Sequence, residues 1–172
     1  LHICISSHMR GAEIGGLLRE YPFAGALLGY NAANFAYREA ALADAAELGR
    51  GIVVMNPLGG GVLPNFPDRF GFVSTRPGES VVSGALRFLW SDPRISVTLV
   101  GHDTVAHLEE TAALTRDFQP LTAQEVTGIR TAASEGMNSL CTGCGYCDPC
   151  PQGLPIPKLM QSYDQYVLHD RE

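Results

Sequence analysis

Gly51-Ile52-Val53-Val54-Met55-Asn56-Pro57-Leu58-Gly59-Gly60-Gly61 carries the signal that decides the fold. A short apolar run flows directly into an asparagine, a proline and a row of glycines. Runs of this kind, closed by glycine-rich loops, read as buried strands of a parallel sheet. Working outward, three further runs share the character: Ile3–Ser6, Gly25–Leu28 and Ser96–Val100. Between them lie stretches with helical spacing, Met9–Glu20, Tyr37–Leu48, Ser80–Trp90 and Thr104–Leu114. In the second of these, Ala41, Leu42, Ala45 and Ala46 recur on one helical face. Strands alternating with helices imply parallel pairing through right-handed crossovers.

Residues 56–77 form a long loop rich in glycine and proline, and loops of that length are usually functional. Thr122-Ala123-Gln124-Glu125 is a capping box that opens a helix to about Ser134. A last helix is expected over Pro157–Val167. Phe88 and Trp90 are expected to be packing residues, and Glu109-Glu110 a solvated helix face. The histidines His8, His102, His107 and His169 are expected in solvent or hydrogen-bonded to loops. Ser6 and Ser7 could cap the helix that follows them.

The chain has 172 residues, enough for one core plus a small appendage. Hydrophobic residues at 45% against 17% charged describe a folded protein. A net charge of −6 with no basic run argues against nucleic acid as a partner. No apolar stretch approaches the length of a membrane span, and the N-terminus lacks a signal-peptide pattern. Leu1 opens almost directly into a strand, so the chain is expected to be the back part of something longer.

Near the C-terminus, Cys141, Cys144, Cys147 and Cys150 follow one another at two-residue gaps, with Pro151 after the last. Such gaps let successive thiolates turn toward one centre, and Gly143, Gly145 and Pro149 let the backbone wrap it. Iron–sulfur clusters are held by cysteines at comparable spacings. A single [4Fe–4S] cluster on all four thiols is the leading expectation. Structural zinc is the alternative, although it usually takes two cysteine pairs on a longer spacer. Thiol redox chemistry or disulfides are a third. A thiolate-bound cluster needs a reducing compartment, so the cytoplasm is expected. Cys4, within Ile3-Cys4-Ile5, is expected to be a buried structural thiol.

Several stretches together resemble the C-terminal part of the aldo/keto reductases, in the subgroup with a ferredoxin-like tail. They are Ile3-Cys4-Ile5-Ser6-Ser7-His8, Tyr30-Asn31, Val53 through Gly61, and Val100-Gly101-His102 through Glu109-Glu110. The tail from Cys141 to Pro157 is the most specific part of the likeness. The resemblance implies residues 1–118 as the second half of a (β/α)8 TIM barrel, about four βα units, with residues 119–172 as a small helical iron–sulfur tail. It implies carbonyl reduction with NADP(H) bound at the C-terminal ends of the strands. The family's catalytic Asp, Tyr, Lys and His lie on strands that precede Leu1, so no catalytic residue is assigned here. Tyr30 and His8 do not fill those roles.

The same resemblance places cofactor contacts residue by residue. Ser6 and Ser7 match the pair that touches the nicotinamide carboxamide, with Leu27 where a glutamine commonly completes that contact. Met55 stands where an aromatic ring often stacks on the nicotinamide. Asn56, Pro57, Leu58 and Gly59, with Gly60 and Gly61, match the loop under the pyrophosphate. Asp103 stands where a basic residue commonly grips the 2′-phosphate, Thr104 caps the next helix, and Thr111 replaces an asparagine that reads adenine. Alone, this chain is expected to bind NADP(H) weakly and to reduce no carbonyls. Two open sheet edges imply a partner: the missing N-terminal half barrel, another subunit, or self-association. The competing function is a non-enzymatic electron-transfer or scaffold module carrying the cluster, or a structural zinc module.

Overall fold

The computed structural model describes residues 2–136, 140–141 and 145–169. Strands β1 (Cys4–Ser7), β2 (Gly25–Gly29), β3 (Gly51–Met55) and β4 (Val97–Thr98) form one sheet in the order β1-β2-β3-β4. Every neighbouring pair is parallel. The strands alternate with helices α1 (Gly11–Glu20), α2 (Phe35–Glu47) and α5 (Val81–Trp90), and α6 (Val105–Arg116) follows β4. After β3 the chain makes a 3-10 turn at Gly59–Gly61 and two one-turn helices, α3 (Val62–Asn65) and α4 (Pro67–Phe70). A second 3-10 turn follows at Gly71–Val73. The 56–77 segment is therefore built of turns and short helices. Helices α7 (Ala123–Gly136) and α8 (Ile156–Leu168) complete the described elements. No described helix is long and apolar enough to cross a membrane.

Register explains which residues are buried. Ser7, Leu28, Val54 and Thr98 align in one row, and Ser6, Leu27, Val53 and Val97 in the adjacent row. Side chains alternate across a pleat, so the two rows face opposite sides. Ala26, Leu28, Ile52 and Val54 are fully buried beneath the helices. On the other face Leu27, Val53 and Met55 are half-buried, and Val97 is 48% exposed. Among the described residues of the unit that holds the sheet, no element covers that face. This corrects the expectation for Cys4, which is exposed: it lies on the uncovered side of an edge strand. β4 is also shorter than Ser96–Val100. Backbone bonds from Ser96 N–H to Ile52 O (2.8 Å) and Leu99 N–H to Val54 O (2.8 Å) continue the contact on either side.

Close approach of α1 and α2 depends on small residues. A Cβ at Gly11 would lie 2.9 Å from the Arg38 Cα, so only glycine permits this crossing. Arg19 of α1 then spans the pair, reaching Asp44 and Glu47 at 2.7 Å each. Helix α2 begins two residues before the expected Tyr37 because an asparagine turn opens it. Asn31 Oδ1 accepts from the Ala33 and Asn34 N–H groups, and Asn34 Oδ1 accepts from Asn31 N–H. Ser7 is not the cap of α1. Its hydroxyl accepts from Met9 N–H at 3.1 Å, while Arg10 occupies the N-cap. Thr122 and Glu125 do form the expected capping box, with Glu125 Oε2 accepting from Thr122 N–H at 2.7 Å.

Helix α5 supplies much of the core. Phe88 lies between Tyr30 (centroids 6.4 Å) and Phe35 (6.3 Å), and Trp90 meets Phe118 edge-on at 6.0 Å, so both act in packing as expected. The buried Arg87 donates from Nε to Glu79 Oε1 (2.7 Å) and from Nη1 to the Gln119 carbonyl (2.6 Å). Glu79 Oε2 in turn accepts from the Thr75 and Arg76 N–H groups. One buried ion pair thus ties the end of the long loop to α5 and to the segment after α6.

The chain divides into two compact units, Leu1–Asn138 and Ser139–Glu172. In the second, the Cys141 N–H donates to Asp164 Oδ1 at 3.0 Å, and Gly145 and Gly153 hold left-handed φ of 75° and 70°.

Two glycine substitutions should separate helix propensity from packing. Alanine is favoured over glycine in a helix by about 1 kcal/mol. At Gly128 of α7 a Cβ meets nothing within 4 Å, so Gly128→Ala should raise stability by about 0.5–1 kcal/mol. At Gly84 of α5 the Cβ would fall 2.5 Å from the Val73 carbonyl oxygen. That overpacking should reverse the sign, for a net loss of about 1–2 kcal/mol in urea unfolding. Equal midpoint shifts for the two variants would contradict this packing.

Candidate functional site

The C-terminal ends of parallel strands open onto loops, and here the loops after β3 and β4 enclose a cavity of about 400 Å³. Its lining comes from Asn56, Pro57, Leu58, Gly60 and Gly61 on one side and Leu99 to Asp103 on the other. Pro64, Val82, His107, Glu110 and Thr111 complete it.

Backbone geometry shapes the first wall. Asn56 has φ 59°, in the left-handed region, and Gly59, Gly60 and Gly61 follow at 65°, 66° and 90°. Left-handed backbone costs an ordinary residue about 1–2 kcal/mol, and asparagine and glycine are the residues that visit it routinely. A side chain at 60 or 61 would therefore add strain as well as bulk beside the cavity. The turn is held from outside. The buried Asn31 donates from Nδ2 to the Asn56 carbonyl at 3.0 Å, and the Gly59 N–H donates to the same oxygen at 3.1 Å. The Gly61 N–H is also spent within the loop, on the Leu58 carbonyl at 3.2 Å.

The second wall is organised by α6. Thr104 is its N-cap, its hydroxyl accepting from His107 N–H at 3.2 Å. Thr111 donates its single hydroxyl proton to the His107 carbonyl at 3.1 Å. It can therefore only accept from His102, whose Nε2 lies 3.0 Å away, which assigns the proton of that ring to Nε2. Glu110 is not the solvated residue expected of it. Its Oε1 accepts from the hydroxyls of Ser80 and Ser83 at the start of α5, and only Glu109 is exposed. These bonds fix one carboxylate oxygen of Glu110 at the edge of the cavity.

The cavity gathers part of the expected site. Asn56, Pro57 and Leu58 line it, as do Gly60, Gly61, Asp103 and Thr111. Met55 and Gly59 adjoin the lining without contributing to it, and Thr104 lies between Asp103 and His107 as a helix cap. Ser6 and Ser7 are two strands away on β1 and point to opposite faces, Ser6 exposed and Ser7 buried. Val82, Pro64, His107 and Glu110 were not foreseen. Residues 107, 110 and 111 recur at helical spacing behind the Thr104 cap, a signal that could have joined His107 and Glu110 to the site.

Tyr30 offers no acid chemistry. It is fully buried and its hydroxyl donates to Glu39 Oε2 at 2.9 Å. Burial, and then the Glu39 charge, push its pKa well above the ordinary tyrosine value. Glu39 also meets Arg94 (2.6 Å) and Arg130 (3.3 Å), so Tyr30 belongs to a structural network linking α2, the approach to β4 and α7.

For the cysteine run, Cys144 lies outside the described residues. Cys147 is exposed, and Cys141 and Cys150 are half-buried. Among the described residues no group of three or more His, Cys, Asp or Glu side chains is gathered to hold a metal ion.

Asn31 should control the cavity wall from behind. Asn31→Ala removes the donor to Asn56 and the acceptor for α2, and leaves buried backbone groups unmatched, at an expected cost of about 1–3 kcal/mol. Amide exchange at residues 56–61 should accelerate in step. Unchanged exchange there would show that the loop holds its left-handed path without Asn31.

No family model matches the chain, and no curated protein matches it in sequence. Solved aldo-keto reductases share its fold. The holo form of AKR11C1 from Bacillus halodurans aligns with a TM-score of 0.62 at 19% identity, covering 76% of this chain and 49% of that one. A thermostable aldo-keto reductase, Tm1743, solved with the inhibitor epalrestat, aligns at 0.59 with 18% identity, covering 76% and 48%. The chain spans about half the length of these structures. At such identities the likeness is one of fold: a parallel four-stranded α/β unit matching part of an aldo-keto reductase (β/α)8 barrel.

Proposed function

We propose that this chain is the nucleotide-binding half of an aldo-keto-reductase-type oxidoreductase. The observation that carries this is the cavity at the strand C-termini, where a side-chain-free glycine turn faces the N-terminus of α6. Barrel enzymes bind ligands at that end of the sheet. A nicotinamide dinucleotide would lay its pyrophosphate along residues 56–61 and its adenosine toward residues 101–111. Ser6, Leu27 and Met55, on the uncovered face, would stand toward its nicotinamide end. Bound there, the dinucleotide would supply hydride for carbonyl reduction. This chain's own residues bind and orient. Tyr30, locked on Glu39, does not serve as the proton donor, which in this proposal a partner supplies.

That partner would be a complementary half barrel or another subunit, seated on the uncovered face and the edges of β1 and β4; self-association would cover that face without supplying the donor. Residues 1–118 would be the barrel half and residues 119–172 the tail. The four-cysteine run would hold a [4Fe–4S] cluster, supported by its spacing alone. Such thiolates would persist in the cytoplasm.

Hydrogen exchange on the whole chain tests the nucleotide site. Millimolar NAD+ or NADP+ should slow exchange at residues 56–61 and 99–107, and no carbonyl should be turned over without a partner. Absence of protection with both dinucleotides, or protection confined to other segments, would remove the proposal.

The cluster has its own test. Anaerobic purification should yield about four irons and four sulfides per chain. Cys144→Ser should lose most of the iron and Cys4→Ser should retain it. Stoichiometric zinc without sulfide would replace the cluster with a zinc module.

A further inference from the structure

We infer that the cavity selects a dinucleotide whose adenosine ribose carries a free 2′-hydroxyl, and rejects the 2′-phosphorylated form. Given the nucleotide site proposed above, the adenosine ribose falls among Gly101 to Thr111. Among the described residues no lysine or arginine lines that wall. Its charged side chains are the carboxylates of Asp103 and Glu110, accompanied by His102 and His107. In doubly wound dinucleotide-binding folds, sites that accept a 2′-phosphate place an arginine near it, whereas sites that read the bare ribose place an Asp or Glu where it accepts from the hydroxyl, and the same electrostatics apply here. This wall is of the second kind.

Three attractions for phosphate must be weighed against the carboxylates. The first is the N-terminus of α6, worth roughly half a positive charge, partly occupied already by the Thr104 cap. The second is His102, whose Nε2 proton is committed to Thr111. The third is His107, an exposed imidazole in the same lining. None is a fixed cation to set against two carboxylates in the same wall and a phosphate that itself carries nearly two charges. Glu110 cannot easily swing away, because Ser80 and Ser83 hold one of its oxygens. Asp103 is exposed and lines the cavity, so its carboxylate is available to a ribose hydroxyl.

Calorimetric titration of the whole 172-residue chain with ADP-ribose and with its 2′-phosphate decides the matter. ADP-ribose should bind at least tenfold more tightly. Asp103→Arg, an exposed position at which folding should be unaffected, should bring the two ligands to parity or favour the phosphorylated one. Asp103→Asn should narrow the gap without reversing it. Equal or tighter binding of the 2′-phosphate by the unaltered chain would overturn the inference while leaving the nucleotide site standing. An unchanged ratio in Asp103→Arg would likewise overturn it. Failure of both ligands to bind would sink the site and the inference together.

Discussion

Parallel pairing in register is the constraint on which the rest of this structure depends. Because β1 to β4 run the same way, every connection must cross back through a helix, and every strand ends at the same edge of the sheet. The ladder also fixes the side-chain rows. Leu28 and Val54 are aimed at the helices, and Ser6, Leu27, Val53 and Val97 away from them. A slip of one residue would exchange the two sets. Burial of the helix-facing row holds the register, and the register collects the loops that form the cavity.

The cavity walls are held by groups that never enter them. Asn31, at the end of β2, fixes the Asn56 turn after β3. Ser80 and Ser83 of α5 fix Glu110 of α6, and Arg87 with Glu79 anchors α5 to the loop that precedes it. Each wall is thus steadied by a neighbouring βα unit, which is why the site belongs to the sheet as a whole. The electrostatic character follows from what these elements happen to present: backbone and glycine on one side, carboxylates and neutral hydrogen-bonded groups on the other.

A sheet with one covered and one bare apolar face is half of a layered architecture. In a closed barrel the bare row would point inward and meet the opposite strands. The same row here ends in exposed Val97, within an edge strand only two residues long, and exposed Leu99 just after it.

Much of the fold was legible in the sequence because it depends on local pattern. Apolar runs ending in Gly51–Gly61 and its counterparts marked strands, and the Thr122–Glu125 box marked a helix start, since capping needs only four adjacent residues. The glycine turn was legible because left-handed backbone has a compositional signature. What no local pattern carried was pairing between distant groups. Cys4 looked buried because its neighbours are apolar, yet its exposure follows from lying on the uncovered side of an edge strand. Glu110 looked solvated because its sequence neighbour is Glu109, yet Ser80 and Ser83 meet it across an interhelical contact. Tyr30 gained Glu39 and the stack with Phe88 only through packing. The sequence determined which segments would be strands, helices and glycine turns; tertiary structure alone decided which side chains would face the cavity, because that depends on register and helix docking between residues far apart in the chain.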